Sequence, residues 1–257
     1  IPKGIIVTSS APISIYVINA KNVSSDGYLA LPTSVWGRKY LSTSYYDFAE
    51  QNNRFTWAGG FCVIAKDDDT DVTIRLRGQG AGTARTRGNR QIGDVITINM
   101  RRGEVYQVMG DGTTRNSFDL TGSEITSTKP VGLISFHART ALPNASRLEG
   151  RDHLVEMTPP VSAWGKRFIT TEYSRVSSNG QGRGDYYRII AAEDNTRITG
   201  RFLDKVSKQL IGNLNSGLLN AGEFQDYYYP GGAPGTLPYG VVMFESNKPF
   251  FVMQYST

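Results

Sequence analysis

The sequence predicts an all-β protein made of two tandem antiparallel β-sandwich-like repeats. Three observations support this prediction: the chain repeats itself at a domain-sized spacing, apolar residues alternate with polar ones at residues 71–77, 93–100 and 195–202, and turn-forming residues separate such runs. The 257 residues include 39% hydrophobic and 20% charged side chains, as folded globular proteins do. A β-propeller is the alternative, although its blades usually repeat every ~40–50 residues and the sequence has no such period.

Four sequence blocks occur twice in the same order, at a spacing longer than the ~20–50 residues of solenoid repeats. The spacing predicts two domains: residues 1–137, with an opening strand and a shared joining strand, and residues 138–257, closed by a terminal strand. The matched blocks are residues 8–15 and 126–133, 35–43 and 163–171, 61–70 and 187–196, and 102–107 and 221–226.

A Ser-x-x-Pro motif opens the first block, and it occurs a third time near the end of the chain. Each proline lacks a backbone donor, so each is expected to begin a strand or to lie on a sheet edge. We therefore expect residues 5–17 to complete one sheet and residues 242–255 to complete the other. The prolines are Pro12, Pro130 and Pro249.

Composition limits the possible function classes. Cys62 is the single cysteine, so no internal disulfide can form, and its apolar surroundings predict a core thiol. No apolar run reaches the roughly 20 residues of a membrane-spanning helix, so no membrane insertion is expected. No Gly-x-Ser-x-Gly, Walker or His-Glu-x-x-His motif is present, so an enzyme is not expected.

Part of the net charge of +5 is concentrated in a glycine-rich stretch, residues 78–92, which contains Arg85, Arg87 and Arg90. Such a loop is typical of contact with a polyanion, such as an acidic glycan. The alternative is a solvated hairpin loop. No aromatic residues alternate with the arginines to stack on bases, so nucleic acid is not expected as a partner.

Two short motifs fall in predicted loops. Arg183, Gly184 and Asp185 form the tripeptide that integrins recognise, and the alternative is a plain glycine-rich loop. Asn22 and Asn144 each begin an Asn-x-Ser pattern, which makes both candidate glycosylation sites.

The two histidines of the chain define a candidate metal site. His137 and His153 flank one predicted insertion, and Asp152 is adjacent to the second histidine, so imidazole and carboxylate could together bind a divalent cation. The alternative is a pair of hydrogen-bonded structural histidines. A second acidic run, at residues 67–71, could bind calcium, but it lacks the spacing of a calcium loop and is typical of a β-turn.

Several blocks resemble the IgGFc-binding protein N-terminal domain family, and the match runs through the whole chain. The strongest are Asp-Gly-Tyr-Leu-Ala-Leu-Pro-Thr at residues 26–33, residues 120–131, and Asp-His-Leu-Val-Glu-Met-Thr-Pro-Pro within residues 152–168. The resemblance implies an extracellular or cell-surface, β-rich, non-enzymatic module, and it supplies no catalytic residues.

One departure from that family concerns Arg139 and Arg151, which stand where animal members have cysteines. The resemblance therefore implies that a disulfide, typically worth about 2–4 kcal/mol, is absent here. Packing or bound ions must hold this region instead.

These observations predict a non-enzymatic extracellular adhesion or recognition module that binds a glycan or an extracellular protein. The expected contact loops are residues 78–92, 138–151 and 174–185. The alternative is a structural subunit of a cell-surface layer or filament, which self-assembles through its terminal strands. An enzyme acting on polysaccharide ranks below both, and beyond the candidate divalent cation no cofactor is expected.

Overall fold

The computed structural model describes residues 3–22, 24–49, 56–80, 82, 84–112, 118–142, 151–173, 185–204, 206–228 and 240–256. Strands and two 3₁₀ turns, Thr33–Val35 and Val161–Ala163, form the regular structure of these residues. The chain divides into unit 1, Ile1–Ala141 with Ala145–Ala163, and unit 2, Leu142–Asn144 with Trp164–Thr257. The prediction of an all-β protein with two β domains is confirmed. Within the described residues, no helix is long and apolar enough to cross a membrane.

Unit 1 contains one large, curled antiparallel sheet and several short two-stranded pairs. The strand order across the sheet is β10-β6-β12-β7-β9, with β12 in the centre. Strands β3 and β13 also pair with β12. The strands are β1 (Tyr16–Lys21), β2 (Ser24–Leu29), β3 (Gly37–Leu41), β4 (Phe48–Ala49), β5 (Thr56–Trp57), β6 (Gly59–Ala65), β7 (Thr70–Arg75), β8 (Gln79–Gly80), β9 (Val95–Met100), β10 (Val105–Met109), β11 (Phe118–Asp119), β12 (Glu124–Thr140) and β13 (Asp152–Thr158).

The sheet of unit 2 has the same arrangement of strands, except that none of its described strands corresponds to β13. Its strand order is β18-β15-β19-β16-β17, and β14 pairs with β19 as β3 pairs with β12. The sequence repeat is therefore also a repeat of strand pairing, and the strands form two large sheets rather than propeller blades. The strands are β14 (Gly165–Thr171), β15 (Asp185–Ala191), β16 (Thr196–Leu203), β17 (Leu210–Leu219), β18 (Phe224–Tyr228) and β19 (Val241–Ser256).

Alternation along the strands builds one core in each unit. In β6, Phe61 and Val63 are fully buried, and their counterparts in β15, Tyr187 and Ile189, are equally buried. Burying apolar surface contributes about 25 cal/mol per Å², so these inward rows supply most of the driving force for each sheet. The clusters around them are separate, one for each unit.

The long central strands bend at their Lys-Pro pairs. Up to residue 127, β12 pairs with β3 and β7, and from Val131 onwards it pairs with β6, with Pro130 at the register shift. Pro249 occupies the same place in β19. The expectation that these prolines start strands or lie on edges is thus wrong: they lie inside central strands, at a bulge where the ladder of hydrogen bonds is interrupted and a missing N–H costs little.

The lysine that precedes each of these prolines holds an acidic turn elsewhere in the same unit. This turn connects β6 to β7 in unit 1 and β15 to β16 in unit 2. Lys129 Nζ donates to Asp68 O and Lys248 Nζ donates to Asp194 O, each at 2.6 Å. The first turn lies in the acidic run considered for calcium, and its Asp68 carbonyl accepts from this ammonium instead.

The opening segment does not complete a sheet as expected. Residues 4–15 form no strand, and the Ile5 side chain is 95% exposed. The chain enters a strand only at β1, which pairs with β2 in a separate two-stranded ribbon. The apolar side chains of this segment have no apolar surface to pack against, so pairing with the sheet would remove little of their surface from water. The terminal segment does join the second sheet, as its central strand.

The boundary between the units differs from the expected one at residues 137 and 138, which falls inside β12. The structure places the division at Ala163 and Trp164. The reason is the pairing of β13: although it begins the second sequence repeat, it adds to β12 and so completes the sheet of unit 1.

Candidate functional site

The predicted basic loop is ordered by backbone hydrogen bonds. Arg85 is half-buried, and its Nη1 donates to Gly82 O (3.0 Å) and Ala84 O (2.9 Å). The exposed Arg87 donates its N–H to Met109 O (3.0 Å), and the exposed Arg90 accepts at its carbonyl oxygen from the Thr86 N–H (2.8 Å). The side chains of Arg87 and Arg90 therefore remain on the surface for a ligand, whereas Arg85 has a structural role.

The integrin-type tripeptide is only partly described, because Arg183 and Gly184 lie outside the described residues. Asp185 begins β15 and is fully buried. Its Oδ2 accepts hydrogen bonds from the Tyr173 N–H (3.1 Å) and from Gln254 Nε2 (2.7 Å). Its carboxylate thus organises the interior of unit 2 and is not presented to a partner.

The candidate metal ligand His137 is buried in β12 and contacts backbone through both ring nitrogens. Its Nδ1 accepts from the Arg139 N–H (3.1 Å), so the ring proton sits on Nε2 and can be donated to Tyr46 O (2.9 Å). A metal ion requires a free ring nitrogen, so this geometry favours the structural alternative.

Asp152 and His153 form a cluster with Ser24 of β2. The Ser24 hydroxyl donates to Asp152 Oδ1 (2.7 Å) and lies 3.0 Å from His153 Nδ1, while the His153 N–H donates to the same Oδ1 (2.8 Å). Further along, the Val155 N–H donates to Asp26 Oδ2 (2.8 Å). These bonds tie β2 to β13 within unit 1.

The sheet register separates the two histidines. His137 is paired with Leu154 across β12 and β13, so the adjacent His153 points to the opposite face of the sheet. Within the described ranges, no group of three His, Cys, Asp or Glu side chains is arranged to hold a metal ion. The structure therefore brings Asp152 and His153 together but leaves His137 apart from them.

Of the two candidate glycosylation sites, Asn22 is exposed in the turn between β1 and β2, and Asn144 lies outside the described residues. The single cysteine, Cys62, is half-buried in β6 rather than part of the core. Burial raises the pKa of its thiol to about 11, so the protonated thiol predominates at neutral pH.

The arginines at the two expected cysteine positions both contact one hairpin. The Arg139 guanidinium lies 5.7 Å from the Trp57 ring centroid, and that of Arg151 lies 5.3 Å from the Phe48 ring centroid. Phe48 and Trp57 are directly paired across β4 and β5. Cation–π packing thus links both flanks of residues 143–150 to the same hairpin.

Unit 2 carries a shallow depression of about 660 Å³ on the surface of its sheet, lined by charged, polar and apolar side chains. The register of the sheet builds it, since Arg167 of β14 and Thr199 of β16 both pair with Glu245 of β19. Outward-pointing side chains of four strands therefore meet here. The lining residues are Lys166, Arg167, Arg197, Thr199, Leu218, Glu245, Ser246 and Asn247.

Positive charge dominates this depression. Arg167 Nε lies 3.2 Å from Glu245 Oε1, which neutralises one cation in an exposed ion pair. Among the described residues, Lys166 and Arg197 have no acidic partner. Asn247 Oδ1 accepts the Arg197 N–H (2.8 Å) and so fixes the backbone that carries this guanidinium.

The equivalent surface of unit 1 has a different charge pattern. The repeat places Asp71 where unit 2 has Arg197, and Asp71 Oδ1 accepts a hydrogen bond from Asn99 Nδ2 (2.8 Å). Lys39, the counterpart of Arg167, lies 3.6 Å from Glu124. Arg38, the counterpart of Lys166, keeps an exposed cation in unit 1, so the difference between the units is Arg197 in place of Asp71.

This surface is not evident from the sequence because its cations come from separate segments: Lys166 and Arg167 lie in one repeat block, and Arg197 directly follows another. The alternation of Arg197, Thr199 and Arg201 along β16 is the one signal that could have indicated an outward polar face. Only the sheet register shows that Lys166 lies near this face.

The arrangement is suited to holding an anionic group. Lys166 and Arg197 supply positive charge that no described acidic side chain neutralises, while Thr199, Ser246 and Asn247 supply neutral hydrogen-bonding groups. The described lining residues include no aromatic ring, so stacking against a neutral sugar face is not the contact this surface offers.

Comparison with models of known protein families identifies the family of this chain. The family model described as "IgGFc binding protein" matches residues 26–257. The chain belongs to the IgGFc-binding protein family. This membership confirms the resemblance seen in the sequence blocks.

Among curated relatives of this family is human (Homo sapiens) IgGFc-binding protein, which is 24% identical over 195 residues. The match covers 76% of this chain but 3% of the relative, so the chain spans a small part of the length of that protein. No solved structure shows significant similarity to the chain.

Proposed function

We propose that this IgGFc-binding family member is a non-enzymatic recognition module of the extracellular space or cell surface, and that it binds an anionic glycan or protein. The observation that carries the proposal is the cationic depression of unit 2, where Lys166 and Arg197 lack acidic partners among the described residues. The human relative is named for a binding activity, which supports recognition rather than catalysis as the general role.

The charge of the depression favours an anionic ligand on energetic grounds. Charges on an exposed rim increase the association rate of an oppositely charged partner and weaken as salt screens them over ~10 Å at 0.1 M. Sulfate or carboxylate groups of an acidic glycan would match Lys166 and Arg197, and Asn247 could hydrogen-bond a neighbouring hydroxyl.

A catalytic role has less support from the geometry. Nucleophilic catalysis needs the serine and the carboxylate at opposite ring nitrogens of a histidine. In the Ser24, Asp152 and His153 cluster, all three side chains meet on the Nδ1 side of the ring. This is the geometry of a structural clamp between two strands.

The test compares two double variants with equal charge changes. Lys166→Ala/Arg197→Ala removes the unpaired cations of the depression, and Arg87→Ala/Arg90→Ala removes the exposed cations of the basic loop. Binding to immobilised sulfated, carboxylated and neutral polysaccharides is measured over a salt series. We expect the first variant to lose about tenfold in affinity for the acidic polymers, equivalent to ~1.4 kcal/mol, and the second to bind like the wild type.

Equal losses in the two variants would indicate attraction by net charge alone and would refute a site in the depression. If the wild type binds none of the acidic polymers, acidic proteins become the remaining ligand class, tested with the same variants. If Lys166→Ala/Arg197→Ala binds like the wild type while Arg87→Ala/Arg90→Ala loses affinity, the binding site lies on the basic loop and not in the depression.

A second candidate function is a structural subunit assembled through terminal strands. One observation favours it: β19, the last strand, has a strand partner on both edges up to Phe250 but on one edge beyond it, as far as the described residues show. Exchange of the whole strand would dismantle the sheet of unit 2, so assembly would have to use that edge.

A further inference from the structure

The outward face of β16 extends the positive charge beyond the depression. Arg197, Thr199 and Arg201 are exposed and alternate with buried residues along this strand, so all three side chains point away from the core. Arg197 lines the depression, whereas Arg201 is not among its lining residues. At ~3.3 Å per residue, the two arginines lie about 13 Å apart along the strand. We call this row of three residues the β16 track.

The register of the sheet gives both arginines of the track uncharged neighbours. On the β17 side, Arg197 is paired with Leu218. Arg201 is paired with Asn213 of β17 and with Met243 of β19. A carboxylate directly across a strand pair would form an ion pair with the arginine, but none of these partners has one. Within the described residues, no ion pair joins either arginine to an acidic side chain.

The carboxylate of Glu245 lies near the track but already has a partner. Glu245 of β19 is paired with Thr199, between the two arginines. Its Oε1 lies 3.2 Å from Arg167 Nε, and Arg167 belongs to β14, which pairs with the opposite edge of β19. This carboxylate therefore neutralises a third cation, and the track keeps its positive charge.

Neutral hydrogen-bonding groups lie between and beside the two cations. Thr199 stands between them and is paired with the exposed Asn215 of β17. Asn215 Oδ1 accepts the Gly217 N–H (3.0 Å), which leaves its amide hydrogens for a ligand. Asn213 is likewise exposed, beside Arg201. A polymer that alternates anionic groups with hydroxyl groups matches this order of side chains.

The equivalent strand of unit 1 lacks the row of two cations. The residues of β7 at the corresponding positions are Asp71, Thr73 and Arg75. In β12, Glu124 is paired with Arg75, where unit 2 has Met243 paired with its arginine. In unit 1 an acidic residue thus begins the row, and another lies directly across from its arginine.

We infer that the β16 track binds a linear acidic polysaccharide whose chain runs along the strand, with one anionic group at Arg197 and a second at Arg201. The inference rests on the proposed function and narrows its ligand to a polymer with repeated anionic groups. A single small anion cannot contact two arginines about 13 Å apart. Once one anionic group is bound, the polymer holds the next one close to the second arginine, so the two contacts reinforce each other.

The test measures affinity as a function of ligand length. Size-defined heparin oligosaccharides, from disaccharide to decasaccharide, are titrated into the full chain, and NMR chemical shifts report binding. We expect the wild type to bind the decasaccharide about tenfold more tightly than the disaccharide, after correction for overlapping sites on the longer ligand. Arg201→Ala should lose this gain and bind the disaccharide nearly as tightly as the wild type does.

Two further variants make the test specific to the track. Arg75→Ala removes the equivalent arginine of unit 1 and the same charge, so we expect it to bind like the wild type. Met243→Glu keeps Arg201 but places a carboxylate beside it, as unit 1 has beside Arg75, so we expect the same loss as in Arg201→Ala. Equal losses in Arg75→Ala and Arg201→Ala, or an affinity of the wild type that does not depend on ligand length, would overturn the inference.

The double variant Lys166→Ala/Arg197→Ala separates this inference from the proposed function. If it loses binding at every ligand length while Arg201→Ala binds like the wild type, the depression is an anion site and the inference of a track is wrong. If the double variant binds like the wild type, the proposed function itself fails. A wild type that binds none of the oligosaccharides would also overturn the track, while acidic proteins would remain as ligands of the depression.

Discussion

The buried ion pair of unit 2 offers a sharp test of how its sheet is stabilised. Arg188 of β15 is fully buried and pairs directly with Asp226 of β18. Its Nε donates to Asp226 Oδ1 and its Nη2 donates to Oδ2, both at 2.7 Å. The guanidinium also lies 4.2 Å from the Phe224 ring centroid.

Replacing Asp226→Ala leaves a charged guanidinium buried without its carboxylate, which costs about 3–5 kcal/mol. The double variant Arg188→Met/Asp226→Leu removes both charges and keeps similar volume, so we expect it to lie within ~1 kcal/mol of the wild type or above it. The double-mutant cycle completed with the single variants Arg188→Met and Asp226→Leu should then give a coupling energy above ~2 kcal/mol.

Hydrogen exchange in β15 and β18 measures these changes, because it reports each unit separately where a single melting curve would mix the two. Gln107→Ala is the matched control, since Gln107 pairs with Cys62 at the equivalent position of unit 1. A loss below ~1 kcal/mol for Asp226→Ala, or the same loss in the double variant, would refute the reasoning.

Two further predictions concern unit 1. Burial raises the pKa of Asp47 to about 8, against ~3.9 in an unfolded chain. Between these two pH values the folded state holds a proton that the unfolded state releases. The free energy of unfolding therefore falls by about 1.4 kcal/mol for each unit by which the pH rises. Amide exchange in β10 and β12 of unit 1 at pH 5, 6 and 7, corrected for the intrinsic pH dependence of exchange, should show this slope in the wild type and a flatter one in Asp47→Asn, and parallel slopes would contradict the prediction. Arg139→Ala and Arg151→Ala should each destabilise unit 1 by about 0.5–2 kcal/mol through lost cation–π packing, with lysine restoring part of it, and amide exchange in β4 and β5 is the measurement.

Much of the fold could be predicted from local patterns. The alternating runs form β7, β9 and β16. A period of two with β-branched residues is typical of a strand that has one face buried. Residues 205–214 have only a weak 3.6-residue period, and from Leu210 onwards the chain forms β17, which is stabilised by pairing with β16. Tertiary pairing overrode a weak local preference.

The candidate site was much less predictable. The charges of Lys166 and Arg197 are visible in the sequence, but their proximity depends on β14 and β16 flanking the same strand. Conversely, Asp185 lies in a recognition tripeptide by sequence, yet folding buries it. A short motif specifies residue types, whereas exposure depends on residues far away in the chain.

The sequence by itself determined the all-β class, the duplication and the family, because each is encoded in residue order and local periodicity. Only the tertiary structure decided that β13 completes the sheet of unit 1, that the Lys-Pro pairs bend central strands, and that the cations of unit 2 form one surface. The physical reason is that strand pairing joins residues distant in sequence, so partner, edge and register arise from packing the whole sheet.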